Sequence, residues 1–370
     1  MKVYNFMYLV FISSLFLNAN ELPHLKIDPR FEINIFASDI DSPRQIAEDD
    51  SGRIYVGSRY SGQIYSLNDS DNNGQADEKI LIADDLTFAT GISIHNGDLF
   101  FSEINKIWKI ENISNYFETS MNELPTKILV TDNLPTDRGH GWKWIKHDTE
   151  GNLYTNVGAP CNVCLRDDKR YATILRLKNN SWDYIAQGVR NSVGFDFHPI
   201  SQKLFFTDNG RDWLGDDSPS CELNRVDSEG SFYGFPYKHA KDVSDPEFGK
   251  IHSGFDFIDP ILELGAHVAP TGITFYSKNM FPKEFSNNLF ITLHGSWNRS
   301  SKVGYKVIRV VLNELGEVIM TDDFITGWLD NEKVLGRPSA AFVLSDGSML
   351  ISDDQADMIY RVTASKNKNS

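Results

Sequence analysis

One pattern recurs six times along this 370-residue chain: a turn containing Gly or Asn, a short β-type run, a gap, and a second β-type run. It is carried by SGRIYVGSRYSGQIYSL from Ser51, NGDLFFSEINKIWKI from Asn96, and EGNLYTNVG with TILRL from Glu150 and Thr173. It returns in SQKLFFTDNG with CELNRV from Ser201 and Cys221, SNNLFITLHG with GYKVIRV from Ser286 and Gly304, and DGSMLISDDQADMIYRV from Asp346. The starts lie roughly 45 to 90 residues apart, with the longest gap after the fourth. The runs are rich in β-branched and aromatic residues, Gly and Asn punctuate them, and no long helical period appears. Repeats of this kind predict an all-β, six-bladed β-propeller, one four-stranded sheet per repeat. A β-sandwich is the alternative, and it leaves six similar units unexplained. Ahead of the first repeat, Phe31 to Phe36 alternates like a strand over its first five residues. It is placed to be the outer strand of the last blade and so to close the ring. The propeller is expected to span residues 30–364 as a single domain.

The repeat also predicts a site. Ahead of each turn lies the stretch expected to form the innermost strand. These stretches begin at Arg44-Gln45, Thr90-Gly91, His140-Gly141, Arg190-Asn191, Thr271-Gly272 and Arg337-Pro338. In a propeller such equivalent positions converge on one rim of the central channel. Three Arg, a His, an Asn and two Thr are therefore expected to face a common space. Guanidinium forks suit a bound carboxylate or phosphate. A His beside Arg charges is held neutral, as a general base requires. For His140 a hydrogen-bonded structural role is the bland alternative.

The net charge is −15, so a basic pocket would be local and the chain as a whole is acidic. This argues against nucleic acid, which demands a basic face, and against docking on anionic lipid. At the N-terminus, Lys2 precedes the apolar run Phe6 to Leu17, and Leu17-Asn18-Ala19 ends in a small residue. Residues 1–19 read as a signal peptide, too short to span a bilayer comfortably, with an uncleaved anchor as the alternative. A periplasmic or secreted protein without integral membrane association follows. Cys161-Asn162-Val163-Cys164 is a C-x-x-C with no His after it, hence no c-type haem site. In an oxidising compartment a Cys161–Cys164 disulfide is plausible, leaving Cys221 unpaired or competing for a partner.

Two segments are rich in oxygen ligands. Thr207 to Asp212 (TDNGRD), followed by Asp216, Asp217 and Glu222, suits a hard cation such as calcium. Asp69, Asp71, Asn73 and Asp77, with Gly74 between them, resemble the start of an EF-hand loop, but Ile80 stands where the closing Glu belongs. A calcium-binding turn and a plain Asx-rich turn are both open there. No phosphate-binding Gly loop, dinucleotide fingerprint, G-x-S-x-G or H-E-x-x-H occurs.

Several stretches together resemble the glucose/sorbosone dehydrogenase family, soluble six-bladed propellers that use pyrroloquinoline quinone. They are Gly158 to Asn162, Gly188 to Phe195, Thr207 to Asp217, Glu222-Leu223-Asn224, Ala269 to Gly272, His294 to Arg299 and Gly336-Arg337-Pro338. The likeness runs from about residue 40 to 362 and looks closer to the sorbosone-dehydrogenase-like branch. It implies oxidation of an aldose or sorbosone-like sugar, with His140 as the base that takes the hydroxyl proton. It implies cofactor contacts from Arg190, Asn191 and Arg337, with Thr271 on the same rim. Asn209, Gly210 and Arg211 match the segment that binds a catalytic calcium, the last two through their backbone carbonyls. No cofactor-binding Lys can be placed, and His294 or Arg299 stands as its substitute. Trp297 either stacks on the planar cofactor or fills a blade interface. Where the family carries an acidic residue, this sequence has Cys221. Electrons would pass to an external acceptor, since no haem motif is present. Specificity for the sugar is expected in the loops Cys161 to Tyr171 and Ser231 to Asp256. The rivals are a non-catalytic glycan- or anion-binding propeller, and a metal-dependent hydrolase of the lactonase type.

Overall fold

The computed structural model describes residues 22, 24–118, 123–251 and 254–365; the segment 1–19, expected to be a signal peptide, lies outside them. Six antiparallel sheets stand in a ring, as the repeat predicts. In chain order their innermost strands are Pro43–Glu48, Ile92–His95, Ile145–His147, Phe195–Phe197, Pro270–Phe275 and Pro338–Val343. Each is followed outward by the two runs of its repeat. In the first blade these are Ile54–Ser58 and Ile64–Asn68, with Glu78–Ala83 outermost. The ring closes as expected: Phe31–Ala37 pairs antiparallel with Met358–Ala364, so the last blade takes its outer strand from the N-terminal side. No helix among the described residues is long and apolar enough to cross a membrane.

The blades bury aliphatic and aromatic side chains between their faces, as in the cluster of Phe31, Tyr276, Phe281, Phe285, Phe290 and Phe324 between the last two. Full burial of each such ring contributes roughly 1.5–3 kcal/mol. At the channel the logic changes. An innermost strand has a free edge, and unpaired backbone groups there must be satisfied by something other than a neighbouring strand. Polar side chains do it. The Gln45 amide donates to the Ile145 carbonyl at 2.7 Å and accepts from the Ile92 and Ile145 amides, tying three blades together. Thr90 donates to the Lys143 carbonyl at 2.9 Å and accepts its amide. Ser339 and Ser352 donate to the carbonyls of Pro43 and Arg44 across the closing seam. The channel is polar because its walls are strand edges.

The long gap after the fourth repeat is an insertion between the third and fourth strands of the fourth blade. Ser231–Phe232 adds in parallel to Ser181–Gln187 of the third blade, and a small hairpin follows, Lys238–His239 with Val243–Ser244. The outer strand Leu262–Ala266 comes only after it.

Candidate functional site

Five of the six rim positions meet at one cavity of about 410 Å³, a size usual for a small-molecule site. Arg44, His140, Arg190 with Asn191, Thr271 and Arg337 line it. Thr90 does not: its hydroxyl is committed to the Lys143 backbone, and the side chain is buried.

His140 sits on the loop ahead of the third blade with φ +47°, a left-handed conformation that a non-glycine residue adopts only where its surroundings enforce it. Its Nδ1 lies 2.6 Å from the Ala159 carbonyl, so Nδ1–H donates and the lone pair is on Nε2. Among the described residues no group bonds to Nε2. Burial, with the Arg190 cation as the second cause, pushes the imidazole down to about 4. Neutral at ordinary pH, it is ready to accept a proton. Gly158 makes room for it. A Cβ there would stand 2.6 Å from the His140 Cβ and 2.7 Å from its carbonyl oxygen, closer than such atoms pack.

The opposite wall is cationic. Arg44 and Arg59 both pair with Asp354, at 2.6 and 3.2 Å, and both lie over the Trp142 ring, at 5.6 and 4.3 Å. The Nε atoms of Arg44 and Arg59, the Trp142 indole N–H and the Asn191 side-chain oxygen are buried without a partner among the described residues. Orphaned donors at a cavity wall cost stability unless a ligand satisfies them. Arg337 donates Nε to the His294 carbonyl at 3.1 Å and Nη2 to the Gly295 carbonyl at 2.6 Å. No carboxylate pairs with it among the described residues. His294 holds Asp354 through Nε2 at 2.7 Å. Burial draws its imidazole down to about 4 despite that carboxylate. Four guanidinium groups thus face two carboxylates, Asp354 and Asp212, and the cavity carries an excess of positive charge.

Arg190 behaves differently from the rim arginine that the sequence predicts. All five of its N–H groups are spent on the protein. Nε and Nη2 donate to the carbonyl and side-chain oxygens of Asn162, and Nη2 also reaches Asp212. Nη1 donates to the carbonyls of Asn209 and Gly210, each at 3.0 Å. It is a clamp on the cavity floor with no donor left for a ligand. The same contacts bear on calcium. Two of the three residues expected to hold it, Asn209 and Gly210, present their carbonyls to a guanidinium. The third, Arg211, is expected to act through its backbone carbonyl, and its side chain pairs with Asp245. Burial pushes nearby Asp208 and Glu222 well above the carboxylate range. Cys221 between these strands is a buried neutral thiol. Among the described residues no group of three His, Cys, Asp or Glu is gathered to hold a metal. The turn does not fit a calcium ion.

The other expected ligands are placed as follows. Asp69, Asp71, Asn73 and Asp77 form an Asx-rich turn whose oxygens accept from the turn's own groups: Asn73 N on Asp69 and Asp71, Gly74 N on Asp69, Gln75 N on Asn73 and Ser70 on Asp77. Arg361 neutralises Asp69. The turn is an outer feature of the first blade, away from the cavity lining. Arg299 is outside the lining as well, donating to the Asp216 carbonyl and pairing with Asp217. Trp297 is on the cavity wall and 67% exposed, edge-to-face with Trp213 at 5.7 Å, so it does not fill a blade interface. Cys161 and Cys164 are joined as a disulfide, and the hairpin they close carries Asn162 to Arg190.

Arg59, Tyr60 and Trp142 line the cavity and Asp354 pairs with its arginines, and the rim pattern missed all four. A second periodicity marks two of them, Arg59 and Asp354. Antiparallel pairing puts the end of each second strand beside the start of the first. The residues that follow those second strands are Arg59, Glu103, Gly158, Asn209, His294 and Asp354. Read together with the first set, they outline most of the site.

Comparison with known proteins agrees with this architecture. A family model described as "Domain of unknown function (DUF7133)" matches residues 18–294, and one described as "TrAA12-like" matches residues 251–364. A relative from Borreliella burgdorferi, described only as an uncharacterized protein, is 37% identical over 95% of this chain and 94% of its own. Among solved structures, a Trichoderma reesei carbohydrate-active enzyme of family AA12 superposes with TM-score 0.76 at 19% identity, covering 92% of this chain and 98% of that one. The holo form of the PQQ domain of a Coprinopsis cinerea pyranose dehydrogenase gives TM-score 0.76 at 18% identity, covering 92% and 97%. The PQQ-bound aldose sugar dehydrogenase of Streptomyces coelicolor gives TM-score 0.64 at 16% identity, covering 92% and 100%. At these identities the likeness is one of fold.

Proposed function

Starting from a chain that belongs to the family described as a domain of unknown function (DUF7133), we propose that it is a dehydrogenase that oxidises a sugar hydroxyl with pyrroloquinoline quinone held in the rim cavity. The observation that carries this reading is the pairing of a neutral, strained His140 with a wall of under-compensated arginines in one cavity. The quinone carries three carboxylates, and this wall supplies what such an anion needs. Arg337 would hold one carboxylate through its Nη1 group, which has no partner among the described residues. Arg44, Arg59 and the Trp142 N–H would take the remaining anionic oxygens, and Asn191 and Thr271 complete the wall. The names of two solved neighbours, a pyranose dehydrogenase PQQ domain and a PQQ-bound aldose sugar dehydrogenase, support the same cofactor class.

When bound, the quinone supplies a two-electron acceptor that takes the hydride from the carbinol carbon. The protein's part is proton and position. His140 Nε2 accepts the hydroxyl proton, leaving a carbonyl product. The Nδ1–H bond to Ala159 fixes the tautomer throughout. Gly158 and the left-handed backbone hold the ring in place. The exposed Trp213–Trp297 pair at the mouth offers apolar faces to a sugar ring. No role is given to calcium. The electrons leave to an external acceptor. Residues 1–19 would act as the export signal, residues 30–364 form the working domain, and the site of action would be the periplasm or the cell exterior. The sorbosone-like branch and the identity of the sugar belong to the same proposal.

The deciding experiment is dye-linked oxidation of a panel of aldoses and sorbosone-like sugars, with and without added quinone. Turnover that appears only with the quinone is expected. Absence of turnover together with unchanged tryptophan fluorescence on adding quinone would overturn the reading. A fluorescence change without turnover on any sugar would favour the anion-binding module, which the arginine excess alone would also suit. The pocket assignment has its own check. Arg337→Ala is expected to weaken quinone affinity roughly 10- to 100-fold, the value of a lost charged hydrogen bond. A fluorescence titration identical to wild type would remove Arg337 from the pocket.

A further inference from the structure

The turn Asn209–Asp212 is built to present carbonyl oxygens to a cation, and a cation is already there. The Arg190 guanidinium is buried, and its Nη1 donates to the Asn209 and Gly210 carbonyls at 3.0 Å each. Asp212 balances its charge at 3.1 Å. The seat is fixed from both sides. Asn162, on the disulfide-closed hairpin, accepts from Arg190 through its backbone and side-chain oxygens and also accepts the Asp212 amide at 2.8 Å. Asn209 in turn donates its side-chain amide to the carbonyls of Asn191 and Pro270. A metal ion added to these carbonyls would meet a full positive charge in a poorly screened site.

We propose that Arg190 is a built-in organic cation that replaces a divalent ion on this turn, so that the rim cavity binds its anionic ligand without calcium. The inference rests on the cofactor reading above for the identity of the ligand. Its claim about the cation stands on the Arg190 contacts alone. A guanidinium has donors in a fixed plane and never dissociates. A site built this way is charged permanently, whatever the calcium level around it.

The test separates the two claims. The full chain is stripped with EGTA, and its unfolding midpoint is measured with and without millimolar calcium. The midpoint is expected to stay unchanged, since a ligand that binds only the folded state must raise it. A rise that survives Asp71→Ala in the exposed turn of the first blade would overturn the inference. Arg190→Met, which removes the cation and keeps the bulk, is expected to gain a calcium-dependent rise; if it folds and shows none, the carbonyl turn was never a cation seat. Quinone affinity of the wild type is expected to agree within about twofold with and without calcium, and a tenfold or greater tightening by calcium overturns the inference. If the quinone binds in neither buffer, the cofactor reading fails, and the calcium midpoints alone judge Arg190.

Discussion

His140→Ala is expected to lower kcat about 10²- to 10⁴-fold, the range that a positioned general base contributes, while quinone affinity stays within about threefold of wild type. The expectation rests on an imidazole whose Nδ1 is spent on Ala159 and whose Nε2 faces the cavity. His294, the second imidazole of the wall, is tied to Asp354 and beneath the arginines, so His294→Asn serves as the comparison. Turnover of His140→Ala within tenfold of wild type would remove His140 from the base role, and a larger loss in His294→Asn would move that role to His294. The pH profile gives an independent reading. The folded-state value of His140 is lowered to about 4, so the base form persists above it and kcat/KM should fall only as pH drops through about 4. Stability moves earlier. Between the ordinary imidazole value near 6.5 and the folded value the unfolded chain binds more protons, so stability declines as pH falls below about 6.5. Buried His147, lowered to about 3, adds to the same trend. Folding must therefore be followed alongside rate. A profile that breaks near 6.5 with the fold intact would contradict the low value.

Phe31→Ala is expected to cost roughly 3–5 kcal/mol, a large share of the about 5–15 kcal/mol that holds a domain together. The ring is 4% exposed and makes edge-to-face contacts with Phe281, Phe285 and Phe324 at 4.7, 5.0 and 5.2 Å. Those partners belong to the fifth blade, whereas Phe31 is in the strand that completes the sixth. The substitution thus loosens both the core and the closure of the ring. The measurement is the urea midpoint of wild type and variant. A shift worth less than about 1 kcal/mol would mean that the closing strand is not essential to the packing.

The blades were legible because their signal is local. Each run alternates or fills with Ile, Leu, Phe and Tyr between turn residues, and that pattern needs no knowledge of distant neighbours. The closing role of Phe31–Ala37 was legible for the same reason, since a strand was left over and one outer position was vacant. The convergence of Arg44, His140, Asn191, Thr271 and Arg337 followed from equivalence between repeats. What the sequence did not show is where each side chain spends its hydrogen bonds. Thr90 is consumed by Lys143, 53 residues away, and Arg190 by Asn162, Asn209, Gly210 and Asp212. Arg299 is drawn to Asp217 at the surface. Such partners are chosen by the packing of the ring. The acidic turn at Asp69 illustrates the limit: its composition suits calcium, while its own amides and Arg361 already satisfy the oxygens.

The pairing of Phe31–Ala37 with Met358–Ala364 also sets a timetable for biosynthesis. A ribosome adding about 5–20 residues per second delivers the first of these strands tens of seconds before the second. Over that interval the nascent chain is an open arc with an unpaired apolar edge, the kind of surface on which chains aggregate or chaperones settle. The long-range contact that ends this exposure is also among the slowest kind to form. A protein closed this way stays an open arc until the strand Met358–Ala364 has been made.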